Sequence, residues 1–198
     1  MQERLHALAD SDYAFIAFSG HGYFSKLDDA TVLMLKRGET ISAMELAYRS
    51  TKRTIILDCC REIRIESALL EYREKSATFS AETQRRSPDG QRCRDKFINE
   101  IRNASQGIVA LHSCSPGQTA GDDERNGGHY TSCLLAGARL WADKLSDNTR
   151  DNQTHTYSVI AAHNSAEVSL KSRYGQMQTP WIDKPRTEEN YFPFAVFA

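Results

Sequence analysis

His21 and Cys60 are the two residues of this sequence best suited to nucleophilic chemistry. A thiolate attacks a carbonyl carbon better than a thiol does. A nearby imidazole can take the thiol proton and later return it to a leaving amine. His21 sits in Ser19-Gly20-His21-Gly22 and Cys60 in Asp58-Cys59-Cys60-Arg61. The glycines beside His21 let a backbone come close to a substrate, and the N–H groups of Gly22 and Cys60 are candidates for an oxyanion hole. Taken singly, neither residue argues for much, because a cysteine at the end of a buried strand is ordinarily a small core residue. The argument rests on the pair and on where each member falls.

Each member falls where an apolar run stops. Tyr13-Ala-Phe-Ile-Ala-Phe18 reads as a buried strand that breaks at the glycines around His21, and Arg53-Thr-Ile-Ile-Leu57 as one that runs into Asp58-Cys59-Cys60. Thr31 to Leu35 and Gly107 to Leu111 are further strand candidates. Ile41 to Tyr48 reads as a short helix, with Ser42 and Glu45 spaced as a capping box. Helical spacing also marks Asp95 to Ala104, Tyr130 to Leu145 and Tyr157 to Arg173, while His112 to Gly128 reads as a polar, glycine-rich loop. Tyr191 to Phe197 closes as a strand that Pro193 assigns to an edge or a bulge. Alternation of strands and helices predicts an α/β fold with a largely parallel sheet. In such sheets ligand sites lie beyond the carboxyl ends of the strands, where both motifs stand.

The chain has 198 residues, enough for a single domain with a full core. Its formal net charge of -1 gives no pull toward nucleic acid or an anionic membrane. No apolar run is long enough to span a bilayer, and Met1 to Asp10 has no apolar stretch of the secretory kind. Five cysteines, two of them adjacent, make a poor disulfide framework and read as free thiols of a reducing cytoplasm. No pair has the CxxC spacing of a structural zinc site, so no metal is expected. From about Glu71 to Arg94 the chain is charged and poor in aliphatic residues, which predicts an exposed loop.

These motifs resemble those of the caspase and metacaspase family of cysteine peptidases. Phe18-Ser-Gly-His-Gly22 is similar to the family's histidine motif. Ile56-Leu-Asp-Cys-Cys-Arg61 is similar to its cysteine motif, in which an apolar strand ends in Asp-x-Cys. A third match is the loop His112-Ser-Cys-Ser-Pro-Gly-Gln-Thr-Ala-Gly-Asp122, in which Cys114, Gln118, Thr119 and Asp122 fall on the metacaspase pattern. Gln178-Thr-Pro180 and the aromatic terminal strand resemble bacterial members. The likeness runs from Asp12 onward. Cys60 follows His21 by 39 residues, a shorter separation than the family's roughly 50.

The resemblance implies a three-layer α/β/α sandwich in which residues 71–94 separate large- and small-subunit-like parts of one 1–198 domain. It also implies a His21/Cys60 dyad cleaving peptide bonds of a protein substrate after Arg or Lys. Asp58, two residues before the nucleophile, and Ser19, two before the histidine, then line the pocket for the basic side chain, with Asp122 as a further acid. An exposed basic loop in such an enzyme is a candidate autoprocessing site, and Arg85-Arg86 is the best placed. No cofactor is needed for the chemistry. Calcium is an activator the resemblance suggests, although Asp28-Asp29 and Asp122-Asp123-Glu124 lack EF-hand spacing and such clusters are ordinarily solvated. The family fold opens with a strand and helix that the short segment before the Tyr13 strand cannot supply, so a missing N-terminal segment or a partner chain is expected to add that strand. The alternative function is a non-catalytic caspase-like module that binds a partner. A different cysteine hydrolase on an α/β fold leaves the His112 to Asp122 loop unexplained.

Overall fold

A computed structural model describes residues 11–47, 52–64, 89–123, 127–148, 153–175, 177–186 and 191–198. Its first half runs β1 (Ala14–Ser19), β2 (Gly22–Ser25), β3 (Ala30–Met34), a 3-10 turn (Lys36–Gly38), β4 (Thr40–Ser42), α1 (Ala43–Leu46), β5 (Lys52–Asp58) and β6 (Ile63–Arg64). Then come α2 (Gly90–Asn103), β7 (Gly107–His112), β8 (Asp122–Asp123), β9 (Gly127–Gly128) and α3 (His129–Asn148). The chain ends with β10 (His155–Ser158), α4 (Val159–Tyr174), β11 (Trp181–Asp183) and β12 (Pro193–Phe197).

The main sheet has the order β1-β5-β7-β11. The first three strands are parallel and β11 is antiparallel to β7, so the sheet is mostly parallel, as expected. A parallel pair needs a long crossover, which α2 provides between β5 and β7. Lys52 fixes that crossover: its ammonium donates to the carbonyls of Ile101 and Arg102 at the end of α2, at 2.7 and 3.0 Å. β5 reads as a continuous apolar run because both its faces are covered. Ile56 joins Val109 and Leu111 against Ile101 of α2, Leu134 of α3 and Val159, Ala162 and Leu170 of α4. Ile55 and Leu57 face the other way, against Leu33, Ile41 and Leu46. That second face carries α1 and a small sheet of order β4-β3-β2-β6. It also holds an open cavity of about 620 Å³ lined by Ile55, Leu57, Ile108, Ala110, Arg61 and His112.

Several local expectations hold. Ser42 and Glu45 form a capping box at α1. Pro193 lies opposite Ser158, where the β10–β12 register shifts. Others are corrected. The charged stretch does not stay irregular to Arg94: Asp89 accepts from the Gln91 and Arg92 N–H groups and starts α2 at Gly90, so Cys93 is helical. Residues 71–88 lie outside the described residues. The segment expected as a helix from Tyr157 begins instead as β10, and α4 starts at Val159 after the Ser158 cap. The loop expected from His112 to Gly128 contains the β8–β9 pair.

Candidate active site

The parallel register of β1 and β5 aligns the two chemical motifs. Ser19 pairs with Asp58 at the end of the ladder, and the Gly20 N–H donates to the Asp58 carbonyl at 3.1 Å. His21 and Cys60 each lie two residues beyond that last pair, at neighbouring carboxyl ends of the sheet. His21 is exposed and Cys60 half-buried.

Gly22 follows as the first residue of β2. The Met34 N–H donates to the His21 carbonyl at 2.9 Å, which makes Gly22 and Leu33 a non-hydrogen-bonded pair of the antiparallel ladder. The Gly22 N–H therefore points away from β3. It points to the side on which the Phe24 N–H donates to the Glu62 carbonyl at 2.9 Å, toward the chain that follows Cys60. Gly22 must lack a side chain: a Cβ there would stand 2.8 Å from Cys59 Sγ and 3.0 Å from the Val32 carbonyl oxygen. The neighbours of Cys60 have their N–H groups engaged, Cys59 with Ser113 Oγ and Arg61 with the Gln118 carbonyl. The Cys60 N–H has no hydrogen-bond partner among the described residues.

The two adjacent cysteines are separated by burial. Cys59 is 2% exposed, and burial, followed by the Cys114 thiol, pushes its thiol well above the ordinary range, so it stays protonated. Cys60 Sγ instead meets the loop after β7: the Ala120 N–H donates to it at 3.4 Å and the Ala120 carbonyl lies at 3.7 Å. Ser113 ends β7's ladder by donating its N–H to Leu57, and its hydroxyl both accepts from the Cys59 N–H and donates to the Cys59 carbonyl. Two amide side chains stitch this loop to residues 178–179. Gln178 accepts from the Gly121 N–H at 3.0 Å and donates to the Ser113 carbonyl at 2.9 Å. Gln118 accepts from the Ser115 and Thr179 N–H groups and donates to Thr179 Oγ1.

Asp58 is 4% exposed and its Oδ2 accepts from the Thr131 N–H at 2.8 Å, inside the first turn of α3. Burial raises its carboxyl above the usual range, outweighing the lowering by the Thr131 and Ser113 hydrogen bonds and by His129. A Cβ on Gly128 would overlap the Asp58 carboxylate, and Gly128 pairs with Asp122 across β8–β9. The structure thus gathers Asp58 and Asp122 on either side of Gly128, with Asp122 and Ser19 exposed. His129 opens α3, donates its N–H to the Gly121 carbonyl and stacks on Tyr174 at 4.0 Å between ring centres.

The remaining candidates fall elsewhere. His163 lies in α4, 3% exposed and bonded to Tyr130 Oη at 2.7 Å, with burial depressing it to about 4. His112 lies on the cavity face, bonded to Asp183 at 3.1 Å. Arg61 is 5% exposed, donates to the Cys114 carbonyl and stands over the Phe24 ring. Asp28 closes a turn with Ser25 through its carboxylate at 2.8 Å. Arg85, Arg86 and Glu124 lie outside the described residues. Among the described residues no three His, Cys, Asp or Glu side chains are grouped to hold a metal, and no helix is long and apolar enough to cross a membrane. Ser113, Ala120 and Asp183 were missed by the sequence reading, since a serine, an alanine and a strand acid carry no motif of their own.

A cysteine and a histidine beyond the ends of adjacent parallel strands in an α/β fold are the residue types that a cysteine hydrolase brings together. The chain belongs to the caspase domain family, peptidase C14, which it matches over residues 1–191. It is therefore cysteine-peptidase-like at the level of the family. No curated protein matches it.

Proposed function

We propose that the chain is a cysteine endopeptidase that cleaves after Arg or Lys, with Cys60 as nucleophile and His21 as its acid–base partner. The observation that carries this reading is the β1–β5 register, which ends both motifs at one edge of the sheet. In the reaction His21 takes the Cys60 proton, Cys60 Sγ bonds to the scissile carbonyl carbon, and the N–H groups of Gly22 and Cys60 hold the oxyanion. The tetrahedral intermediate then expels the amine, which leaves with the proton from His21. Water, activated by His21, hydrolyses the acyl-enzyme. Burial of Cys59 supports Cys60 as the member of the pair that reacts. Asp58 and Asp122, gathered around Gly128 with Ser19 at the neighbouring strand end, form the acidic pocket that a desolvated P1 cation requires.

The test is cleavage of fluorogenic peptides bearing Arg, Lys or Asp at P1, with and without calcium, beside Cys60→Ala. Cysteine-dependent release after Arg or Lys is expected. Release after Asp keeps the dyad and overturns the pocket, and silence in every condition favours a non-catalytic caspase-like module.

A further inference from the structure

We infer that Gln178 is a positioning residue for the nucleophile, acting through the backbone N–H of Ala120; the inference rests on Cys60 being the reactive thiol. Gln178 is 5% exposed and spends both ends of its amide on the loop that faces Cys60. Its oxygen holds the Gly121 N–H and its nitrogen the Ser113 carbonyl, the two ends of the segment that carries Ala120. Gln118 braces the same segment from within, and the Ser115 hydroxyl adds a bond to the Thr179 carbonyl at 3.1 Å. Loops ordinarily move more than the elements they connect. Here the segment is fixed through the backbone of Ser113, Ser115 and Gly121, so one N–H is aimed at a sulfur with little freedom to turn away.

The Ala120 contact distinguishes the two forms of the thiol. As a thiol, Cys60 can donate to the Ala120 carbonyl at 3.7 Å. As a thiolate it is an acceptor only, and the nearer Ala120 N–H at 3.4 Å becomes a charge-assisted donor. The clasp therefore stabilises the anion that attacks, while His21 holds the proton it has released. Gln178 touches neither substrate nor sulfur and works by preventing the loop from relaxing.

The test is the rate at which iodoacetamide alkylates Cys60, followed by peptide mass mapping between pH 6 and pH 10. The reaction forms a sulfur–carbon bond, releases iodide and reads the thiolate directly. Gln178→Met keeps the volume and removes both hydrogen bonds; Gln118→Met loosens the opposite end of the clasp. Loss of one charge-assisted bond predicts alkylation of Cys60 about tenfold slower near neutral pH in Gln178→Met, a smaller loss in Gln118→Met, and convergence at alkaline pH. Cys93, half-buried in α2, is the internal reference. Unchanged Cys60 rates overturn the inference. So does faster labelling of the buried Cys59, Cys114 and Cys133, which would mean that the clasp only holds the fold together. Peptide cleavage by the same variants separates the two readings: slowed alkylation with no cleavage even in the parent chain rejects the peptidase and keeps the clasp, whereas cleavage with unchanged alkylation does the reverse.

Discussion

Asp58→Asn separates what the fold wants at this position from what the proposed reaction wants. Asn keeps an acceptor for the Thr131 N–H at the start of α3 and removes a charge that is 4% exposed. Burial raises the Asp58 carboxyl, so between the ordinary carboxylate range and its folded value the native state binds more protons than the unfolded one. Stability contributed by this group is then present at low pH and falls as pH rises through that window, at up to about 1.4 kcal/mol per pH unit. Above the window the difference is constant. The expected result is that the stability of the parent chain relative to Asp58→Asn declines as pH climbs from about 4 and then levels, whatever the constant offset between the two.

Activity should move independently of that offset. A P1 guanidinium that enters the pocket without its buried partner carries an uncompensated charge, worth about 3 kcal/mol or more, which is about a hundredfold or more in kcat/KM. The assays are urea unfolding across pH for both proteins and cleavage of Arg and Lys peptides by both. Cleavage after Arg undiminished in Asp58→Asn refutes the pocket assignment. A relative stability that rises with pH across the same window refutes the burial argument.

His21→Ala and Cys60→Ala should each abolish cleavage without changing stability by more than a few tenths of a kcal/mol, since His21 is exposed and Cys60 half-buried. Gly22→Ala should destabilise the chain by about 1–3 kcal/mol, because its Cβ meets the Val32 backbone oxygen, which cannot turn aside as a side chain could; thermal unfolding measures it. His163, depressed to about 4 by burial and by His112, gives a slope opposite to that of Asp58. The unfolded state takes up its proton first, so stability is lost as pH falls from about 6.5 toward 4, and His163→Phe should flatten that limb of the unfolding curve. Intact mass of the parent chain and Cys60→Ala after long incubation tests processing at Arg85-Arg86; identical masses reject it.

Legibility in the sequence followed how local each cause was. Ile55-Ile56-Leu57 announced a strand, and Ser42 with Glu45 announced a helix start, because run and cap are written within a few residues. β11 has only Trp181, Ile182 and Asp183, and its pairing with β7, far earlier in the chain, makes it a strand. β10 was absorbed into the following helix because it is only four residues long and the helical spacing of Val159, Ala162, Ala166 and Leu170 begins directly after it. The strand-end positions of His21 and Cys60 were legible because glycines and an acid interrupt apolar runs there. The register that aligns them was not, since one residue's slip would leave the same pattern.

The chemistry of this site depends on where the sheet stops being a sheet. Through Asp58, backbone groups of β5 are spent on β1 and β7. Had the β1 ladder continued, the Cys60 N–H would have been consumed by the Gly20 carbonyl and the Gly22 N–H by the Cys60 carbonyl. Instead, groups of the loop after β7 complete the hydrogen bonding of the flanking residues, the Ser113 hydroxyl for Cys59 and the Gln118 carbonyl for Arg61, and the position between them is passed over. A side chain likewise replaces a strand where Gln178 holds Ala120 at the sulfur. Ser113 and Gln178 thus fix the backbone around Cys60, and among the described residues its N–H has no hydrogen-bond partner, as the proposed oxyanion role requires.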